Sequence, residues 1–302
     1  MNIRIYVIIA AVLICTIMAG SFFYLSRPTP ITRSEEKNRV VVTIVPQAQF
    51  VEKVGGEQVL VTILVPPGAS PHTHEPTPSQ ISEVAKADMY AKVGTPIEFE
   101  SAWMEKIISV NPDMLVVDCS KDIHLLDMTS HGHDREEHDN IRKDPHIWLS
   151  PKNAIIMVNN IYEGLIKIDP ENKEFYYNNK EAYTKDLQRL DTTLSDTFSG
   201  PTIKKFMVYH PAWGYLAHDY GLEMIPIEEE GKEPTAEGLA RLIKQAKEYN
   251  IRVIFATPEF RTDTAKTLAK EIDGSVVLVS SLEKDYIGML TKISREIEKS
   301  LN

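Results

Sequence analysis

The stretch Glu171–Gly200, "ENKEFYYNNKEAYTKDLQRLDTTLSDTFSG", contains neither glycine nor proline until its last residue. Phe175, Tyr176, Tyr183, Leu187, Leu190 and Leu194 recur at spacings of three to four residues, the period of one helical face. At 1.5 Å per residue such a helix measures about 40 Å, more than the depth of a small domain. It predicts a long backbone helix joining two lobes, so the segments on either side decide the fold.

Both sides alternate between short β-branched runs and helical patterns. Before the long helix come the strand-like "RVVVTIVP" (Arg39–Pro46), "QVLVTILVPP" (Gln58–Pro67), the end of "ADMYAKV" near Gly94, and "DMLVVDCS". Between them lie "QAQFVEKVGG", "PTPSQISEVAK" and "ESAWMEKIISVNP", each with helix start or stop residues. After Pro201 the order resumes with "KKFMVYH", "LEMIPIE", "IRVIFATP" and "GSVVLVS" as strands and four intervening or following helices. Strands separated by helices every 15 to 25 residues predict parallel sheets with crossover helices. The expected organisation is an α/β fold of two lobes: residues 39–168, a linking helix over 169–200, and a second lobe over 201–302.

The N-terminus reads differently. Ile5–Leu25 carries no charge, a length that just spans a bilayer core, and is expected to be an uncleaved signal anchor in preference to a cleaved signal (residues 1–25). Residues 26–38, "SRPTPITRSEEKN", read as a Pro-rich charged tether. Cys15 falls in the apolar run and Cys119 after a strand, so no disulfide between them is expected. The net charge of −10 argues against a nucleic-acid partner, whose phosphates call for a basic surface.

Three histidines stand at strand ends or loops: His72 in "SPHTHEP", His146 in "DPHIWLS" and His210 in "VYHPAWG". Loops at strand ends are where open α/β sheets bind ligands. Gaps of 74 and 64 residues exclude a zinc finger and suit a site assembled between lobes. Three neutral imidazoles suit Zn²⁺ better than Ca²⁺ or Mg²⁺, and proton competition is expected to weaken binding below about pH 6. "HTHE" is no hydrolase motif, because Pro71, Pro76 and Pro78 forbid the helix that such a motif needs. The loop over 122–140 adds His124, His131, His133 and His138 among six acids, a composition that binds metal weakly. No nucleophile, phosphate loop or dinucleotide fingerprint is apparent, and no enzyme activity is expected.

The segments "LVPPGASPHTHEPTPSQ", "VGTPIEFESAW", "DPHIWLSPKNA" and "YHPAWGYLAHDYGLE" follow in the order found in the zinc and manganese solute-binding proteins of ABC importers. The chain resembles that family from about Val40 to Leu290. The resemblance implies metal ligation by His72, His146 and His210, and the histidine at the third position is similar to the zinc branch, where manganese members usually carry Glu. It implies an extracytoplasmic protein that delivers Zn²⁺ to an ABC permease, with Mn²⁺ or Fe²⁺ uptake, a zinc hydrolase and a surface adhesin as the rivals; a monomer is expected. Two positions depart from the family pattern. His74 stands where Tyr is usual and is expected to pack or face solvent. Ser280 or Ser281 stands where the family often has a ligating Asp. That leaves water, Glu259 or Asp285 for the fourth position, with water preferred. Trp103, Trp148 and Trp213 are expected to pack the lobe interface, and Glu75 to act as a structural acceptor.

Overall fold

Val40, Val41 and Val42 are each no more than 1% exposed, as expected of a strand covered on both faces in a parallel sheet. The computed structural model describes residues 37–128, 142–228, 231–259 and 262–301. The expected anchor (1–25), all but the end of the tether, and His131, His133 and His138 lie outside the described residues. Among the described residues no helix is long and apolar enough to cross a membrane.

In the first half the strands are β1 (Asn38–Val42), β2 (Val59–Ile63), β3 (Met89–Lys92) and β4 (Leu115–Asp118). The helices between and after them are α1 (Val45–Gly55), α2 (Pro78–Val84), α3 (Glu98–Val110) and α4 (Pro151–Ile168). The second half contains β5 (Lys205–Val208), α6 (Gly214–Tyr220), β6 (Glu223–Pro226), α7 (Ala236–Glu248), β7 (Val253–Ala256), α8 (Asp263–Glu271), β8 (Ser275–Leu278) and α9 (Tyr286–Leu301). Every strand pairing is parallel, and the two sheets run β2-β1-β3-β4 and β6-β5-β7-β8. The two orders are the same topology written twice. The strand order of each sheet reverses at one crevice, between β1 and β3 and between β5 and β7, and the C-terminal ends of these strands are where such sheets place ligands.

The long helix is α5 (Lys173–Ser199), entered through a 3-10 turn at Pro170–Asn172. Tyr176, Tyr183, Leu187, Leu190, Leu194 and Phe198 form its buried stripe. It packs on α1 and α4 from the first half and on α6 and α9 from the second. Phe175 departs from the sequence reading. It is 36% exposed, because Tyr176 takes the inward position and bonds Asp169. The apolar core accordingly runs without a break from β1 through α5 to α9.

Local signals set the helix starts near the site. Thr77 caps α2 in a reciprocal box with Gln80, and Ser150 caps α4 ahead of Pro151. At Gly94 the backbone has φ +85°, and a Cβ would lie 1.9 Å from Asp118 Oδ1, so only glycine fits this turn.

Candidate metal centre

Each of the three histidines is presented by a loop on a defined element. His72 sits in a tight turn between β2 and α2, closed by bonds from Thr73 and His74 N–H to the Ser70 carbonyl at 3.2 and 3.0 Å. His146 precedes the 3-10 turn Ile147–Leu149, and His210 follows β5 by two residues, at the crevice of the second sheet. The fold brings all three together. One ring nitrogen from each lies within 4.8 Å of the others, and His146 Nε2 and His210 Nε2 are 3.2 Å apart. His146 and His210 are buried and His72 is partly exposed, so the cluster opens on the His72 side.

Behind every ring stands a carboxylate on Nδ1. Glu98 Oε2 meets His72 Nδ1 at 2.6 Å, Asp144 Oδ1 meets His146 Nδ1 at 2.7 Å, and Glu228 Oε2 meets His210 Nδ1 at 3.0 Å. An ionised carboxylate only accepts, so Nδ1–H donates to it and Nε2 keeps its lone pair. Two acceptor nitrogens 3.2 Å apart are complementary to a shared cation and not to each other. Tetrahedral zinc with Zn–N bonds of 2.0–2.1 Å separates adjacent nitrogens by about 3.3 Å. The donor set, three imidazoles each backed by a carboxylate, is the arrangement that orients histidine on zinc.

The environment lowers the pKa of two of these groups, by different causes. Burial pushes the His210 pKa down to about 4, reinforced by the neighbouring histidines and opposed by Glu228. For this histidine, the expectation of proton competition near pH 6 moves to a lower pH, because a buried imidazolium is poorly solvated. Burial pushes the Glu98 carboxyl up, but the bond and charge of His72 outweigh it and hold the group below its ordinary range.

The other residues singled out in the sequence lie elsewhere. Glu259 is outside the cluster among the described residues. Its Oε1 accepts from Ser280 Oγ at 2.5 Å, and its buried Oε2 has no partner there. Asp285 is exposed and caps the start of α9 through Gly288 N–H. His74 stacks on Phe99 with ring centroids 6.2 Å apart, and Glu75 is exposed. Trp148 does join the two halves: Nε1 donates to the Ser281 carbonyl at 2.9 Å and the ring lies edge-on to His146. Trp213 is buried, whereas Trp103 packs within the first half under Lys106. His124 is exposed, ahead of the Asp127–Lys143 bridge and ion pair that close the base of the histidine-rich loop. The three supporting carboxylates were missed by sequence reasoning. Asp144 had a signal, two residues before His146, whereas Glu98 and Glu228 are 26 and 18 residues from their histidines.

Residues 40–300 match the family described as "ZnuA: Zinc-uptake complex component A periplasmic". This chain belongs to the ZnuA family. Among its ZnuA-family relatives is the high-affinity zinc uptake system protein ZnuA of Bacillus subtilis (strain 168), 34% identical over 260 residues that cover 82% of this chain and 79% of the relative. The zinc-binding protein AdcA of Streptococcus pyogenes serotype M3 is 31% identical over 265 residues, 83% of this chain. The match spans about half of AdcA, 51% of its length. A crystal structure of ZnuA superimposes with a TM-score of 0.83 at 36% identity, covering 88% of this chain and all of that one. The two parallel sheets and the long helix are therefore the ZnuA-family fold.

Proposed function

We propose that this chain captures Zn²⁺ outside the cytoplasm and hands it to the permease of an ABC importer. The observation that carries this reading is the convergence of one ring nitrogen from each of three histidines, each with a carboxylate behind its ring. Imidazole donors favour zinc over the harder manganese, and no carboxylate joins the cluster among the described residues. The names of the ZnuA and AdcA relatives support the same cargo. In this reading His72, His146 and His210 are the protein ligands. Water completes the tetrahedron and Glu259 is the protein's alternative donor. The chain is a binding protein without a catalytic step, monomeric, and tethered to the membrane by Ile5–Leu25. Lobes 39–168 and 201–302 flank the metal, and the segment 169–200 links them. His124, His131, His133 and His138 hold further zinc loosely at the loop.

The test is a zinc titration of residues 37–302, which form one compact unit, beside the triple variant His72→Ala, His146→Ala, His210→Ala. One tight equivalent in the parent, absent from the variant while weaker equivalents on the loop persist, is expected. A parent without a tight equivalent of zinc refutes the proposal.

A further inference from the structure

The first turn of α3 touches the chain at His72. Glu98 holds the His72 ring, and Phe99 N–H donates at 3.1 Å to the carbonyl of Pro71, the residue before His72. Glu100, the next residue, is turned into the interior and is 5% exposed. Its Oε1 accepts from Thr43 Oγ1 at 2.5 Å and Val93 N–H at 2.6 Å, and its Oε2 accepts from Gly94 N–H at 2.9 Å. One residue further, Thr95 Oγ1 donates at 3.0 Å to the carbonyl of Pro145, the residue before His146. A continuous path of buried and partly buried bonds thus runs from Glu100 through the 93–95 turn to the backbone that carries the second histidine.

The place of this carboxylate in the fold explains its cost. Thr43 and Val93 directly follow β1 and β3, the strands that flank the crevice of the first sheet. In the second sheet the matching crevice carries His210. In the first sheet a carboxylate occupies it, and the ligands arrive from loops on either side. Burial pushes the Glu100 carboxyl above its ordinary range, against the opposing donors from Thr43, Gly94 and Val93. A group buried at such cost for packing alone could be replaced by an apolar side chain with little loss. Three donors converging on its two oxygens indicate that its work is to fix the turn.

We propose that Glu100 is a positioning residue for zinc capture: through the Val93–Thr95 turn and the Pro145 carbonyl it sets His146 at the point where His72, seated by the same helical turn, meets it. The inference rests on the reading of the histidine cluster as the zinc site. Glu100→Gln keeps the shape but presents an amide N–H₂ to an N–H or O–H donor, so at least one bond is lost. Thr95→Val removes the bond to Pro145 at the far end of the path, and Thr95→Ser restores it.

The experiment measures zinc affinity by competition with a chelator, the visible spectrum of the Co²⁺-loaded protein, and the melting of the metal-free protein, for residues 37–302. Glu100→Gln and Thr95→Val are each expected to lower zinc affinity by about 10- to 100-fold and to weaken the intense tetrahedral cobalt bands. Thr95→Ser should bind within about twofold of the parent, and the double variant should lose no more than the worse single one, since both act along one path. Folded variants that retain parental affinity and spectrum, or losses that multiply in the double variant, overturn the inference. Should Glu100→Gln fail to fold, the Thr95→Val and Thr95→Ser pair decides alone. A parent that binds no zinc overturns the cluster's assignment instead, so the two failures are distinguishable.

Discussion

The carboxylates behind the histidines should differ in importance according to their burial, and Asp144→Asn is the sharpest perturbation. Asp144 and His146 side chains are 4% and 3% exposed, so water cannot replace the lost charge. Asp144 Oδ1 also accepts the His146 backbone N–H at 2.9 Å, so one carboxylate fixes both the ring and the chain that carries it. A hydrogen bond to a buried charged group contributes about 1.5–3 kcal/mol against about 0.5–1.5 for a neutral one. Loss of such a partner typically lowers metal affinity by about 10- to 100-fold, or about 1.4–2.7 kcal/mol. We expect Asp144→Asn to fall in that range. Glu98→Gln should lose only about threefold, because Glu98 is 55% exposed and solvent screens and replaces its charge. The assay is chelator competition for zinc at fixed pH and ionic strength, with melting of the metal-free proteins to show that each variant folds. An unchanged zinc affinity in a folded Asp144→Asn variant, or an equal loss at the two positions, refutes the reasoning that burial sets the strength of these supports.

Three further outcomes follow from the geometry. His210, with its pKa pushed down to about 4 in the folded protein against about 6.5 unfolded, binds its proton preferentially in the unfolded state between those values. The metal-free protein should therefore hold this contribution above pH 6.5 and lose about 3 kcal/mol as pH falls to 4, measured by urea denaturation; a flat profile in which His210→Gln matches the parent refutes it. Gly94→Ala places a Cβ against Asp118 at φ +85° and should destabilise the protein by about 2 kcal/mol or more, a lowered melting temperature being the readout. Cys119 is fully buried and its thiol is pushed well above its ordinary pKa by burial, so a thiol reagent should label it only in denaturant; rapid native labelling counts against the described packing.

The sequence was most legible where the signal is local. The 3.6-residue period over Tyr176–Leu194 needs no partner to be read, because it follows from helix geometry. The alternation of β-branched runs with helical segments implies parallel sheets, since a parallel pair requires a long crossover. Proline beside each histidine marked the three loops, and family resemblance suggested a common purpose for them. Where periodicity alone was followed, it erred by one residue. Phe175 and Tyr176 compete for the same stripe, and the Tyr176 hydroxyl decides it by reaching Asp169 at 2.6 Å. His74 posed a similar ambiguity beside His72. The turn closed on Ser70 lets one ring enter the cluster while the other stacks on Phe99.

What this sequence by itself determined is the kind of pieces present: short buried strands, crossover helices, one helix long enough to reach both halves, and histidines on proline-stiffened loops. Tertiary structure alone decided the 3.2 Å approach of His146 and His210, the carboxylate behind each ring, the bond that engages Glu259 with Ser280, and the path from Glu100 to Pro145. The physical reason is one of range. Backbone preference and periodicity act over a few residues along the chain, whereas hydrogen bonds and metal coordination act over a few ångströms in space between residues that the chain separates by tens.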